Sequence, residues 1–189
     1  MKYGILILAG GKSSRMQGKN KAMLQIQEET FLSHICKQFE SFEHVYLSTN
    51  KKEPYVAIDC KKVYDEYDEI GPMAGIVSAF HQSDIDAFFT IACDMPWMQK
   101  ELASELFVKL SDYDGVFVED NEHVHALGGI YTRAMLPRME MQIAQGDYAL
   151  MHCIQESNSL RLHMDDISCT SNVFENVNTM QDYQRLFEN

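Results

Sequence analysis

Six consecutive residues near the start, Tyr3-Gly4-Ile5-Leu6-Ile7-Leu8, constrain the fold more than any others, because they do not alternate between polar and apolar. A strand of that composition is buried on both faces, as strands are inside a parallel sheet flanked by helices. A glycine-rich turn follows. Phe31, Leu32, Ile35 and Phe39 then recur at helical spacing behind Thr30, a suitable N-cap. Val45-Tyr46-Leu47 reads as a second strand, and Lys62-Val63-Tyr64 as a third that ends at Asp65. Gly71-Pro72 marks a turn into a helix over 73–80, with Pro72 in its first turn. Residues 87–92 form the most apolar strand, Pro96 leads into a helix over 100–110, and residues 115–118 form the fifth strand. Such alternation predicts an α/β fold, a mostly parallel sheet with a helical layer on each face.

Beyond Asn121 the rhythm loosens: a strand is expected over 123–131, a helix over 133–144 and a terminal helix over 179–187. No repeat, low-complexity tract or linker divides the 189 residues, so a single domain is expected. A chain of this size buries roughly 70% of its unfolded surface and needs no disulfide or metal for its core. No apolar run approaches the ~20 residues that span a bilayer. Met1-Lys2-Tyr3 leads directly into the first strand without a secretory signal pattern, and a cytoplasmic protein is expected. Cys36, Cys60, Cys93, Cys153 and Cys169 are scattered and never in a C-x-x-C pair, so they read as reduced and mostly buried.

The net charge of −12 argues against nucleic acid or an acidic membrane as partner. The charge is uneven. Residues 1–27 contain Lys2, Lys12, Arg15, Lys19 and Lys21 and no acid, which leaves −17 on the remainder. An anionic ligand is expected at the basic segment.

Gly10, Gly11 and Gly18 let main-chain N–H groups approach a phosphate closely, and Arg15 and Lys21 add full positive charge. The loop is neither G-x-G-x-x-G nor G-x-x-x-x-G-K-[ST], which argues against a dinucleotide dehydrogenase or a P-loop hydrolase. Its place after a buried strand is where open α/β sheets bind ligands. Asp94 ends the most apolar strand and offers the hard oxygen that Mg²⁺ prefers; its bland alternative is a helix cap after Pro96. Asn176 and Asn178 share a face if extended, although asparagines also serve turns. His123 and His125 likewise share a face, but two imidazoles without a third ligand nearby make no metal site. The acidic run 65–69 reads as a solvated loop, and the twelve methionines as core filler.

Leu8-Ala9-Gly10-Gly11, with Arg15-Met16 and Lys21, closely resembles the loop of the molybdenum cofactor guanylyltransferases, the MobA-like branch of the nucleotidyltransferases. Gly71-Pro72-Met73-Ala74-Gly75-Ile76, Ala92-Cys93-Asp94-Met95-Pro96 and Phe174-Glu175-Asn176-Val177-Asn178-Thr179 match the same family in order. The resemblance spans almost the whole chain. It implies a Rossmann-like three-layer α/β/α fold of the nucleotide-diphospho-sugar transferase type, with a nucleotide-binding half over 1–120 and an acceptor-side half over 121–189. It further implies that Leu8, Ala9, Gly10 and Gly11 hold a guanine nucleotide through main-chain contacts and that Lys21 neutralises its phosphates. Arg15 joins Lys21 and Asp94 as catalytic residues. Asp65 reads the guanine side, Asp94 ligates Mg²⁺, and Asn176 and Asn178 face the acceptor.

The implied reaction is transfer of GMP from GTP to molybdopterin-bound cofactor, releasing pyrophosphate, with a molybdoenzyme or another cofactor-biosynthesis protein as onward partner. Two positions depart from the family pattern: Asn20 stands where Asp usually precedes the lysine, and Gln17-Gly18 where two glycines follow Arg-Met. Two alternatives follow: transfer of CMP or GMP to another phosphorylated acceptor such as a sugar phosphate, and a carrier whose catalysis the Asn20 change has eroded. The Gly10-Gly11 pair resembles the guanylyl branch; the cytidylyl branch tends to have Ala before a single Gly.

Overall fold

The computed structural model describes residues 1–9, 21–26, 28–50, 55 and 58–185. In chain order the elements are β1 (Tyr3–Leu8), β2 (Gln25–Ile26), β3 (Glu29–Thr30), α1 (Phe31–Gln38), β4 (Val45–Thr49), β5 (Lys61–Tyr64), α2 (Pro72–His81), β6 (Ala87–Ala92), α3 (Lys100–Lys109), β7 (Gly115–Glu119), β8 (Val124–Thr132), α4 (Leu136–Ala144), α5 (Leu150–Gln155), β9 (Ser159–His163) and α6 (Met180–Arg185). Seven strands form one sheet in the order β5-β4-β1-β6-β8-β7-β9, and β2 and β3 pair separately.

β1 lies between β4 and β6, parallel to both, which is why its sequence carries no polar face. Ile5 and Ile7 pack with Leu32 and Ile35 of α1 and Leu102 and Leu106 of α3. Leu6 and Leu8 face the other way, toward Ile76 and Phe80 of α2, Met139 of α4 and Ile154 of α5. Each such side chain contributes about 1.5–3 kcal/mol by leaving water, so the two-sided burial of β1 anchors all three layers.

β8 is antiparallel to both β6 and β7, while β7 and β9 are parallel. β8 is therefore the one reversed strand in the seven-stranded sheet. The C-terminal ends of β1, β4, β5, β6 and β7 share one edge, and the β7–β8 turn falls on it.

Gly75 and Gly128 are among the glycines that packing requires. A Cβ on Gly75 would stand 2.5 Å from Ser48 Oγ and 2.6 Å from Leu8 Cδ2, so α2 lies against β1 and β4 at a distance only glycine permits. Gly128 combines φ +79° with a would-be Cβ 2.6 Å from the Phe174 ring, and its absence seats that ring.

Thr30 caps α1 as expected, accepting from Ser33 N at 3.1 Å. The helix expected over 133–144 divides into a 3₁₀ turn, Arg133–Met135, and α4, because Pro137 fits only the first turn of an α-helix. The sequence pattern gives no sign of the hairpin β2–β3, of α5 or of β9. β9 is a half-exposed edge strand and α5 has six residues, both too short for a periodic signal. All five cysteines are free; Cys153 is buried and the other four are half-buried.

Candidate active site

The end of β1 is fixed by main-chain bonds to both neighbours. Ala9 N donates to Ser48 O at 2.9 Å, Cys93 N donates to Leu8 O at 3.0 Å, and the Tyr55 hydroxyl donates to Ala9 O at 3.3 Å. Leu8 and Ala9, expected from the sequence to meet a nucleotide, thus stand buried at the shared strand edge. Gly10, Gly11 and Arg15, with Lys12, Lys19 and Asn20, lie outside the described residues. Lys21 opens a 3₁₀ turn over Lys21–Met23, whose Ala22 is buried in the core beside α1. Lys2 lies at the opposite end of β1, paired with Asp84, and takes no part in this edge.

Asp65 follows β5 directly. Its N–H donates to Thr49 O at 3.1 Å, and its Oδ1 accepts from Ser48 Oγ at 2.5 Å. Burial raises the carboxyl pKa, the Ser48 hydrogen bond opposes that rise, and the nearby Asp68 charge adds to it. Asp65 and Asp94 end strands that are three places apart in the sheet, roughly 14 Å at ordinary strand spacing. An extended ligand laid across the ends of β4 and β1 would reach both.

Asp94 sits in the turn after β6, half-buried. α3 begins at Lys100 with Gln99 as its cap residue, so Asp94 does not cap that helix. The Asp94 carbonyl accepts from Val177 N at 2.9 Å, which brings two of the resembling segments together. Val177 is buried with Leu24, Ile26 and Phe31, against Trp97 and Tyr183. Asn176 and Asn178, on either side of it, are exposed, the alternation expected of an extended stretch. Beyond them Asp182 accepts from Asn178 N and Thr179 N at 3.1 and 2.8 Å, while Thr179 Oγ1 accepts from Asp182 N at 3.1 Å. This reciprocal cap opens α6, and Tyr183 fastens it by donating to Gln25 O at 2.7 Å. Residues from the beginning, middle and end of the chain therefore converge beside Asp94.

Ser48, Tyr55 and Ser78 belong to the frame of this site without having been picked out in the sequence. Ser78, on α2, accepts from Glu66 N at 2.9 Å and pins the loop after Asp65. The available signal was the pair Ser48-Thr49, two polar residues closing an otherwise apolar strand and buried to within 1% exposure. The expectation that His123 and His125 lack a third ligand is corrected: the Asp120 carboxylate stands between them, folded there by a hairpin turn invisible to strand periodicity. Cys36 and Cys60, remote in sequence, are brought together as neighbouring thiols, whose mutual interaction raises the Cys36 pKa and lowers that of Cys60.

Residues 5–161 match the MobA-like NTP transferase domain. A Clostridium perfringens (strain SM101) protein described as a probable molybdenum cofactor guanylyltransferase is 31% identical over 98% of this chain and 96% of its own. Among solved structures, molybdopterin-guanine dinucleotide biosynthesis protein A of Archaeoglobus fulgidus matches with a TM-score of 0.85 at 18% identity, covering all of this chain and 97% of that one. A manganese complex of a Mycobacterium tuberculosis H37Rv protein matches with a TM-score of 0.72 at 15% identity, covering 100% and 99%. The structural likenesses establish the mostly parallel, three-layer fold, and the sequence match over most of the chain carries the assignment: this protein belongs to the MobA-like NTP transferase family.

Proposed function

We propose that the protein transfers GMP from GTP to molybdopterin-bound molybdenum cofactor, forming the guanine dinucleotide cofactor and releasing pyrophosphate. The observation that carries this reading is the junction of the β1 end, the Asp94 turn and the Asn176–Asn178 segment at one sheet edge, in a chain 31% identical to a probable guanylyltransferase over nearly its full length. Residues 1–120 supply the nucleotide side and residues 121–189 the acceptor side.

An oxygen of the acceptor's terminal phosphate attacks the α-phosphorus of GTP, and the bond to the bridging oxygen of the β-phosphate breaks. Both reactants are polyanions, so the barrier is governed by alignment and charge rather than by covalent participation of the protein. Leu8, Ala9, Gly10 and Gly11 hold the nucleotide through the main chain. Asp65, steadied by Ser48, accepts from the guanine edge. Lys21 and Arg15 stabilise charge on the phosphoryl oxygens, and Asn176 and Asn178 orient the acceptor. A half-buried carboxylate at a strand end is a hard-oxygen donor suited to Mg²⁺, so Asp94 would hold that ion. Mg²⁺ supplies charge neutralisation on the triphosphate. This reading puts the reaction in the cytoplasm, with a molybdoenzyme as the recipient of the product.

Pyrophosphate release and guanine dinucleotide formation, followed with GTP, Mg²⁺ and molybdenum-loaded molybdopterin, test this function. Turnover with GTP well above that with CTP, ATP or UTP is the expected result. Equal use of CTP would move the assignment to another nucleotidyl transfer, and nucleotide binding without pyrophosphate would leave a carrier.

A further inference from the structure

A second cluster of chemically active side chains stands at the tip of the β7–β8 hairpin. The turn is closed by Asp120 N donating to His123 O at 3.1 Å, and Asp120 Oδ1 accepts from Glu122 N and His123 N at 2.8 and 2.9 Å. These bonds fix the carboxylate. His125, the second residue of β8, approaches its Oδ2 through Nε2 at 3.1 Å, and His123 approaches Oδ1 through Nδ1 at 3.4 Å. The two imidazoles meet edge to face at 4.6 Å, and His125 is stacked on Phe174 at 4.0 Å with planes 11° apart. One ligand atom from each of the three residues lies within 4.8 Å of the others; among the described residues no other group of three His, Cys, Asp or Glu does so.

We infer that Asp120, His123 and His125 form a binding site for a divalent transition cation of the borderline class, Zn²⁺ foremost. Two nitrogens and one carboxylate are the donor set such ions take, with a further position left for water or an anionic ligand. Bonds of 2.0–2.1 Å in a tetrahedral arrangement give ligand-to-ligand edges of roughly 3.3 Å; the imidazoles approach the two different oxygens of the Asp120 carboxylate at 3.1 and 3.4 Å, so the three donors already lie at the scale of such a shell. Little movement is needed, because the turn holds the carboxylate and Phe174 holds one ring. Side-chain exposure rises from 13% at His125 through 33% at Asp120 to 59% at His123, which gives the ion a route in from solvent. The site differs in chemistry from the Asp94 carboxylate, since Mg²⁺ takes oxygen donors and leaves imidazoles aside. It stands independently of the nucleotidyl-transfer reading.

The test uses full-length, tag-free protein stripped with chelator and free of nucleotide, titrated calorimetrically with Zn²⁺ and followed in parallel by the visible absorption of added Co²⁺. One equivalent of Zn²⁺ is expected to bind, with excess Mg²⁺ failing to displace it and Co²⁺ giving the absorption of a low-coordinate site. His123→Ala and His125→Ala should each weaken Zn²⁺ at least about tenfold, a loss at the lower end of what outer-shell partners alone cost. Asp120→Asn keeps the turn's hydrogen-bond acceptor while removing the charge and should weaken binding as well. Cys36→Ser should leave the stoichiometry unchanged, which separates the hairpin from the thiol pair. Should His125→Ala fail to fold, His123, the most exposed of the three, still decides the matter. Absence of a stoichiometric Zn²⁺ site, or Zn²⁺ binding indifferent to His123→Ala, would overturn the inference.

Discussion

The backbone N–H of Val177 donates to the carbonyl oxygen of Asp94 at 2.9 Å, tying the segment that bears Asn176 and Asn178 to the turn that presents the Asp94 carboxylate. The link is made by main chain on both sides, so side-chain substitutions at 94 leave it in place. Asp94→Asn is therefore expected to keep its melting temperature while losing about 10²-fold or more in kcat, the scale for removing one preorganised charge-stabilising group. Pyrophosphate release measured beside a thermal melt separates the two effects.

Ser48 bears on Asp65 in the same way, but through side chains. Its hydroxyl favours the ionised carboxyl against burial, so Ser48→Ala should raise the Asp65 pKa further. In the folded protein that pKa already lies above the ordinary 3.8. Between the unfolded and folded values the native state binds the extra proton, and stability falls as pH rises through that window. Removing the hydroxyl extends the window upward. The carboxyl carbon resonance of Asp65, titrated in both proteins, reports the shift, and GTP affinity near neutral pH should weaken in the variant.

Gly75→Ala places a methyl group within 2.6 Å of Ser48 Oγ and Leu8 Cδ2. Helix propensity favours alanine by about 1 kcal/mol, whereas overpacking of a tight interface costs about 1–3 kcal/mol. The Ser48 hydroxyl is held by Asp65 and Leu8 is buried, so neither retreats easily. A net loss of about 1 kcal/mol, near 2–4 °C in melting temperature for a domain of this size, is expected in a thermal unfolding scan.

His81, on α2, bridges Glu66 through Nδ1 at 2.7 Å and Glu140 of α4 through Nε2 at 2.8 Å. Both nitrogens can donate only when the ring is protonated. The Glu66 hydrogen bond leads in raising the His81 pKa above 6.5, with Glu140 adding to it and burial opposing. A raised histidine pKa gives stability that is complete below the unfolded value and is lost as pH rises through the folded one. His81→Ala should therefore lower the melting temperature most at about pH 6 and least at about pH 9.

The thiols should differ in reactivity. A hydrogen bond from Cys36 lowers the Cys60 pKa, with Lys62 assisting, while burial pushes Cys153 up to about 11. Thiolate is the nucleophile, so iodoacetamide near neutral pH should label Cys60 well before Cys153. Peptide mapping of a short time course gives the order. Cys36→Ala should slow labelling at Cys60, because it removes the donor that favours the Cys60 thiolate.

Much of residues 1–120 is legible in the sequence because its signals are local. The doubly buried β1, the capped α1, the Pro72 start of α2 and the apolar β6 each state their structure within about ten residues, and Leu8, Ala9, Asp65 and Asp94 fall at strand ends as their positions predict. What was not legible depends on partners distant in sequence. β8 is written like any other buried strand, and its reversal follows only from pairing with β6 and β7. The support of Asp65 by Ser48 and the meeting of Cys36 with Cys60 need β4, β5 and α1 already packed. Asp120 was missed for a different reason: a turn, rather than a strand face, brings its carboxylate to the two histidines.

The lone backward course of β8 has a bearing on how this molecule could diversify. A strand returning through a tight reversal needs no crossover helix, so this part of the rim ends in a hairpin tip rather than in a threaded connection. Tips of that kind accept added or deleted residues without disturbing the layers beneath. The rim at the ends of β1 and β4, where Gly75 lets α2 lie close, has no such latitude. The architecture thus joins a tightly packed rim to an adaptable margin, where the chain can change while the sheet itself stays unaltered.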